Sequence, residues 1–294
     1  MYKSFLKEKN YLYTNPIFSN MNDQKSKLDL LNNLLESVKE EHNSLEFDDD
    51  DVRKSFFALY SSVVRDFYNG RISFLISGMI ANKEVNFNSE TIEYAPHLMK
   101  FSEKAYILKW MHSYLMLLNR NLINNSWTAF ETCISLIYNK IISNKEKERV
   151  LLDKNIKLIK LIKSVDRITE DKSSQIIQVI VENDFTPLIR KFRKIVNKKK
   201  YVRDYKSDVN FIDFASKLRN CMLHSNGIFT GNNDYEYTFK DVDFKFENGK
   251  MFHVPNDYDF VYLDITLELV SIFLSTVNSI EFEDLIPYRE DYIN

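Results

Sequence analysis

Residues 211–224 read FIDFASKLRNCMLH, and this stretch decides the fold class of the chain. Its apolar positions recur at spacings of three and four, which is typical of one face of an amphipathic helix. Gly227 follows closely and suits the left-handed backbone conformation that ends many helices. The stretch is therefore predicted to be a helix that ends near His224. Its apolar positions are Phe211, Phe214, Ala215, Leu218, Met222 and Leu223.

The same helical period recurs over most of the remaining chain. Only five glycines and five prolines occur among 294 residues, so few residues interrupt helices. The chain is therefore predicted to be mainly α-helical. Besides the stretch above, helices are expected from Asp23 over the apolar positions up to Val38, from Phe56 towards Ile80, and at about 99–122, 126–143, 150–164, 172–197 (with an interruption at Pro187) and 257–280.

A different pattern appears after Gly227. Residues 242–247, VDFKFE, alternate between apolar and charged side chains, and Asn248-Gly249 follows directly. An Asn-Gly pair between alternating runs is the strongest short-range signal for a β-hairpin. One small hairpin is therefore predicted near residues 240–254, turning at Asn248-Gly249, with residues 251–254 as its return strand.

Charge and cysteine content exclude several classes of protein. Lys and Arg total 40 against 42 Asp and Glu, a net charge of -2, so any contact with RNA is expected to use a local patch. Two cysteines suggest neither a disulfide framework nor a zinc cluster. No apolar run approaches the roughly 20 residues that span a bilayer, and the first residues lack the apolar core of a signal peptide. We expect a cytoplasmic protein without membrane association.

An acidic cluster, Asp48 to Asp51, directly precedes a segment with apolar helical periodicity. Carboxylates at this place stabilise the positive end of a helix dipole, so the cluster predicts a helix start. A metal site is the alternative, although four consecutive Asp side chains cannot all face one ion. The sequence has no glycine-rich phosphate loop, His-Glu-x-x-His pair or nucleophile elbow. We therefore predict no cofactor and no bound metal.

A basic run lies just upstream of the 211–224 stretch. Runs of this kind neutralise phosphate groups, and this one is a candidate RNA-binding segment. The alternative is a solvated helix end and loop, and the sequence leaves both interpretations open. The run consists of Lys191, Arg193, Lys194, Lys198, Lys199, Lys200 and Arg203.

Arg219, Asn220 and His224 are the candidate catalytic residues, because they place a guanidinium, an amide and an imidazole within six positions. The other four histidines, His42, His97, His112 and His253, have no nearby arrangement of partners and are expected to be structural or surface residues. Cys133 lies on an apolar helical face and is expected to be buried and inert.

Residues 218–227, LRNCMLHSNG, resemble the signature of HEPN proteins, in which an Arg is followed by a polar residue and, after four to six positions, by His. Residues 126–131, SWTAFE, resemble a Phe-Glu pattern on an early HEPN helix. The resemblance covers roughly residues 98–282. It implies an all-α helical bundle, a homodimer in which the two motifs face each other, and cleavage of RNA without a metal. Members often act in toxin–antitoxin or anti-phage systems.

The resemblance also implies a domain division and partners. Residues 1–97 are expected to form an N-terminal helical extension, and residues 98–294 the HEPN-like domain with the hairpin. Expected partners are an RNA substrate, a second copy of the chain, and an antitoxin or defence-system protein. One alternative is a non-catalytic HEPN-like binding or dimerisation module. Another is a purely structural role, in which Arg219 forms a salt bridge and His224 caps a helix end.

The chemistry implied by the resemblance is physically sound. RNA carries its own nucleophile, the 2′-hydroxyl, so the protein need supply only proton transfer and charge stabilisation. An imidazole such as that of His224 acts as a general base or acid near neutral pH. The Arg219 guanidinium offers a planar fork of donors to phosphate oxygens, and Asn220 holds the phosphate or orients the imidazole. Positions five apart differ by about 140° around a helix, which favours a site shared between two subunits.

Overall fold

The structure is a computed structural model that describes residues 21–44, 51–81, 104–165, 169–183, 186–224, 227–252 and 261–285. Within these ranges the chain is mainly helical with one two-stranded sheet, which confirms the predicted fold class. The elements are α1 Met21–Ser44, α2 Val52–Ala81, α3 Lys104–Ile141, α4 Asn144–Lys154, α5 Ile156–Lys163, α6 Glu170–Asn183, α7 Leu188–Ile195, α8 Tyr205–His224, β1 Tyr235–Phe239, β2 Val242–Phe246, α9 Val261–Val277, and a 3-10 helix at Phe282–Leu285.

Helix α3 lies at the centre of the bundle, where α2, α7, α8 and α9 all contact it. Almost every residue of α9 is buried, including the polar Asp264, Thr266 and Ser271, as expected of a helix inside a bundle. The rings of Phe56 in α2 and Phe273 in α9 stack with centroids 3.8 Å apart. One buried apolar cluster extends from Leu31 in α1 to Leu285. The helices of the expected N-terminal extension therefore share a core with the rest of the bundle.

Helix α3 differs from the sequence-based prediction of two helices at 99–122 and 126–143. The chain instead forms one helix of 38 residues. The polar residues Asn124 and Asn125 do not break it, because they lack the backbone restrictions of Pro. Leu122, Ile123 and Trp127 on either side are buried, so the core face continues through the polar segment. Tertiary packing thus outweighs the weak local helix preference of Asn and Ser.

Other helix boundaries also differ from the predictions. The segment predicted at 150–164 begins earlier, at Asn144, and divides at Asn155 into α4 and α5. The segment predicted at 172–197 is two helices, α6 and α7, and α7 begins directly after Pro187, as the expected interruption requires. The last helix ends at Val277, before the predicted end at Ile280, and its predicted first residues, 257–260, lie outside the described residues. No helix of the described residues is long and apolar enough to cross a membrane.

Asp51 starts α2, which confirms the predicted role of the acidic cluster at this residue. Its carboxylate is buried, and Oδ1 accepts a hydrogen bond from the Arg53 backbone N–H at 2.8 Å. The Arg53 guanidinium also donates to this carboxylate, with Nη2 2.7 Å from Oδ2. The carboxylate thus satisfies an amide that has no partner inside the helix. Residues 48–50 lie outside the described residues.

The β-hairpin turns at Lys240-Asp241, so the predicted turn at Asn248-Gly249 is wrong. Strands β1 and β2 pair antiparallel from Tyr235 opposite Phe246 to Phe239 opposite Val242. Lys240 and Asp241 have φ angles of 47° and 65°, the two positive values that a two-residue type I′ turn requires. Lys240 Nζ lies 2.8 Å from the buried carboxylate of Asp264, which holds the turn against α9. The alternating residues 242–246 are therefore the second strand of the hairpin.

Asn248-Gly249 forms a different turn, with Gly249 at a φ of 73°. After it the chain pairs with the segment that follows α8. The Gly249 N–H donates to the Phe229 carbonyl at 2.8 Å, and Ile228 and Met251 form an isolated antiparallel bridge. The rings of Phe229 and Phe252 both lie against Phe246, at centroid distances of 5.3 Å and 4.6 Å, and this packing favours the observed route. Val254 of the predicted return strand lies outside the described residues.

Candidate functional site

Helix α8 carries the candidate catalytic residues and is held from two sides. The Phe214 ring stacks on Tyr237 of β1 at 4.3 Å and meets Phe244 of β2 edge-on at 4.9 Å. Leu218 is fully buried, and α3 packs along the same helix. Because the sheet and α3 fix the rotation of α8 about its axis, they also fix the directions in which its polar side chains leave the helix.

Arg219 and Asn220 lie together where α8 approaches its end. Arg219 is half-buried with its Nε atom buried, whereas Asn220 is exposed. Arg219 Nη1 donates a hydrogen bond to Asn220 Oδ1 at 3.0 Å. The amide therefore holds the outer part of the guanidinium in one orientation.

The end of α8 is anchored by the backbone just beyond the motif. Gly227 has a φ of 87°, and its N–H donates to the Cys221 carbonyl at 3.0 Å. Its own carbonyl accepts from the Phe252 N–H at 2.6 Å. The predicted role of Gly227 at the helix end is confirmed. His224 is the last residue of α8, and its side chain, like Ser225 and Asn226, lies outside the described residues.

Helix α8 continues without a break from Arg219 to His224. On a regular helix these positions differ by about 140° around the axis. An earlier helix end would have changed this separation, and α8 has none between the two residues. That their side chains leave the helix in different directions stays a prediction from the spacing.

A cavity of about 460 Å³ opens beside the end of α8. Met222 and Gly227, which flank His224 in sequence, line it together with Arg120 of α3. No hydrogen bond or ion pair within the described part of the chain engages the Arg120 side chain, which is half-buried. Sequence reasoning missed this residue. The full lining is Ser113, Met116, Leu117, Arg120, Met222, Gly227, Phe252 and Tyr262.

Exposed apolar side chains surround this cavity. Met116 and Leu117 on α3 are 49% and 39% exposed, although both line it. Ile228 and Met251, which pair beside Gly227, are also exposed. Exposed apolar side chains grouped near a cavity mark binding surfaces more often than isolated ones do. We refer to Met116, Leu117, Ile228 and Met251 as the apolar rim.

The residues of the second resemblance, 126–131, lie on α3 beside its contact with α7. Trp127 is buried, and its Nε1 donates to Glu131 Oε2 at 3.0 Å. Lys191 of α7 donates to Ser135 Oγ at 2.8 Å. Burial lowers the pKa of Lys191, and the nearby Glu131 carboxylate opposes that shift. Lys191, a predicted RNA-binding residue, is thus engaged inside the protein.

The rest of the basic run divides into two groups. Arg203 forms ion pairs with the buried Asp208 and with Glu268, and Lys200 pairs with Glu281. These contacts join α8, α9 and the loop after α7, so both cations have structural partners. Arg193, Lys194, Lys198, Lys199 and Lys200 are all exposed and remain candidates for binding RNA, although Lys194, like Lys200, forms a surface ion pair.

Cys221 lies inside the motif, but its environment opposes reactivity. Burial raises the pKa of its thiol to about 11, and burial raises the pKa of the Cys133 thiol to about 12. The thiolate is the nucleophilic form of cysteine, so both side chains are kept in their unreactive form near neutral pH. The buried Tyr262 nearby is likewise held neutral, because burial raises its pKa.

We expect Ellman's reagent at about pH 8 to leave both thiols of the folded protein unmodified, because the raised pKa of Cys221 reduces its thiolate fraction by about 10²-fold. Concentrated guanidinium chloride should then expose two reactive thiols. A Cys133→Ser variant isolates Cys221 as a control. Reaction of that variant in buffer at the rate of free cysteine would contradict the prediction.

Among the described residues, no group of three or more His, Cys, Asp or Glu side chains is arranged to hold a metal ion. No protein-family model, curated protein or solved structure matches the chain. The family resemblance therefore depends on residues 126–131 and 218–227 themselves.

Proposed function

We propose that this chain is a metal-independent endoribonuclease of the HEPN type. The observation that carries the proposal is the position of the motif: Arg219 and His224 lie on one firmly held helix whose end lines a cavity containing Arg120. The cavity volume, about 460 Å³, is within the range of sites for nucleotide-sized ligands. We propose that this cavity, which Met222 between Arg219 and His224 lines, accepts one nucleotide of a single strand.

The proposed reaction is an attack by the RNA on itself. A bond forms between the 2′-oxygen and the adjacent phosphorus while the bond from phosphorus to the 5′-oxygen breaks. One histidine takes the proton of the 2′-hydroxyl and a second gives a proton to the leaving 5′-oxygen. Arg219, oriented by Asn220, stabilises the charge that develops on the phosphate oxygens.

Two histidines are supplied by a homodimer in which the α8 ends of two subunits face each other. The spacing of Arg219 and His224, which corresponds to about 140° around a helix, supports this arrangement, because two-fold symmetry lets one subunit supply the guanidinium and its partner the imidazole. The apolar rim also supports it, since a second copy covers that exposed surface. The nucleotide cavity then lies at the edge of the interface.

The proposed biological setting follows from the proposed activity. Unrestricted RNA cleavage in the cytoplasm is harmful to the cell that makes the enzyme. We therefore propose a toxin or anti-phage role in which an antitoxin or another defence-system protein restrains the ribonuclease.

We expect purified protein to cut RNA into fragments with 2′,3′-cyclic phosphate and 5′-hydroxyl ends, at a rate that excess chelator does not change. A substrate with 2′-deoxyribose at the cleaved position should resist, because the nucleophile is missing. Mass spectrometry of the product ends provides the measurement. Fragments with 3′-hydroxyl ends, or activity lost to chelator and restored by Mg²⁺, would refute the proposed mechanism.

A further inference from the structure

A second and larger cleft, of about 630 Å³, lies between α4 and α7. It brings together residues that are about forty positions apart in the sequence, and we call it the α4–α7 cleft. Its wall includes Arg193 and Lys194 of the basic run, together with cations of α4 that sequence reasoning did not connect with them. The full lining is Ser143, Lys145, Glu146, Arg149, Val150, Asp153, Arg190, Arg193 and Lys194.

The α4–α7 cleft is positively charged within a chain that is slightly acidic overall. Five cationic and two anionic side chains line it, an excess of three positive charges. Concentration of one sign of charge in a cleft raises the local potential more than the same charges spread over a surface. The cleft thus favours an anionic ligand.

Contacts within the cleft hold its wall in place and leave part of the charge available. Arg190 Nη1 donates to the Val150 carbonyl at 3.3 Å, which links the two helices. Lys194 forms an ion pair with Glu146 at 3.0 Å, so this pair contributes little net charge. Lys145, Arg149 and Arg193 are exposed, and no ion pair within the described ranges engages them.

Helix α7 presents Arg190, Arg193 and Lys194 towards the cleft because its apolar face is fixed in the core. Leu188, Phe192 and Ile195 are buried. The α7 helix therefore has no freedom to rotate and withdraw Arg193 from the cleft. Arg193 and Arg149 lie on opposite walls, which allows two guanidinium forks to act on one strand. Such forks match the geometry of phosphate oxygens better than ammonium groups do.

We propose that the α4–α7 cleft binds the phosphate groups of the RNA strand, with Arg149 and Arg193 as its principal contacts. The identity of the ligand rests on the proposed ribonuclease function, whereas the preference for phosphate rests on the charge and geometry of the cleft. The exposed Lys198 and Lys199 follow α7 directly and extend the cationic surface along the chain. The cleft is a binding surface separate from the motif, so it holds the substrate without taking part in the cleavage step.

The test measures binding of a fluorescein-labelled 2′-O-methyl RNA of about twelve nucleotides, which lacks a free 2′-hydroxyl and cannot be cut. Fluorescence anisotropy across a salt series gives both the affinity and its salt dependence. For Arg149→Gln/Arg193→Gln we expect affinity to fall about 10–100-fold in low salt. The slope of log affinity against log salt should flatten by about 1.4, or about 0.7 for each lost phosphate contact.

Arg65→Gln/Lys245→Gln is the matched control, because it removes the same charge from exposed positions outside the cleft and should leave the slope unchanged. An unchanged slope in the cleft variant would overturn the proposal. The proposal would also be overturned if tripolyphosphate binds the cleft while the cleft variant keeps the normal affinity for RNA. The ligand of the cleft would then be a small phosphate compound. A third outcome is RNA binding that depends on the cleft while ordinary RNA is not cut. This outcome would reject the proposed ribonuclease function but support phosphate binding in the α4–α7 cleft.

Discussion

Replacing His224 with alanine is expected to lower the rate of RNA cleavage by about 10²–10⁴-fold, the usual effect of losing a general acid or base. If two subunits share the site, the substitution removes both proton-transfer groups at once, and the loss should approach the upper end of that range. Single-turnover cleavage of a labelled RNA measures the effect. Binding of the uncleavable 2′-O-methyl RNA should change little, because phosphate contacts are made elsewhere.

His42→Ala is the matched control, since it removes a histidine from α1, far from the motif in sequence, and should cleave RNA at the normal rate. Thermal unfolding of both variants should resemble that of the unaltered protein, which separates lost chemistry from lost folding. Robust cleavage by His224→Ala would reject the proposed mechanism. It would favour the non-catalytic module, in which residues 219–224 only support a helix end.

The parts of the fold that follow local rules were predictable from the sequence. The 3.6-residue period of 211–224 indicated α8, and the observed helix ends at His224 as predicted. Asp51 at the start of α2 and Gly227 after α8 act through backbone groups within a few residues of themselves. Such effects depend on short stretches of chain, so a single sequence contains the information needed to recognise them.

The errors occurred where contacts between distant residues decide the structure. The polar segment at 124–126 resembles a break between helices, yet α3 continues because the apolar residues around it share one core face. The Asn248-Gly249 pair resembles a hairpin turn, but aromatic packing on Phe246 directs the chain towards residues 227–229. The true turn uses Lys240-Asp241, a pair with weaker local preference for positive φ, held by the ion pair with Asp264.

The residues that surround the candidate site could not be predicted from the sequence either. Arg120 lies about a hundred positions before the motif, and only the packing of α3 against α8 brings it to the cavity. A weak signal was present, since Ser113, Met116, Leu117 and Arg120 recur at the spacing of one helical face.

The basic run shows the opposite case. Its charges are adjacent in sequence, but the structure turns Lys191 and Arg203 towards internal partners.

Arg219→Lys is expected to lower the cleavage rate by about 10²–10³-fold, comparable with the loss of one donor that stabilises a developing oxyanion. The substitution keeps the charge but replaces a planar fork with a single ammonium group, which cannot make two parallel hydrogen bonds to a phosphate. The substitution also removes the Nη1 atom that donates to Asn220 Oδ1, so Asn220 no longer orients the cationic group at position 219. The rate of the chemical step under single-turnover conditions is the measurement.

Lys217→Arg provides the matched control, because it makes the reverse exchange two positions earlier on α8. Lys217 forms an ion pair with Asp213 and lies over the Tyr235 ring, contacts that an arginine also makes, so this variant should keep its activity. The cleavage rate of Asn220→Ala should lie between those of Lys217→Arg and Arg219→Lys, because this variant keeps the Arg219 guanidinium but removes the amide that orients it. If the Arg219→Lys variant cleaves RNA at the normal rate, a positive charge alone is sufficient at this position. The proposed bidentate contact between Arg219 and the scissile phosphate would then be wrong.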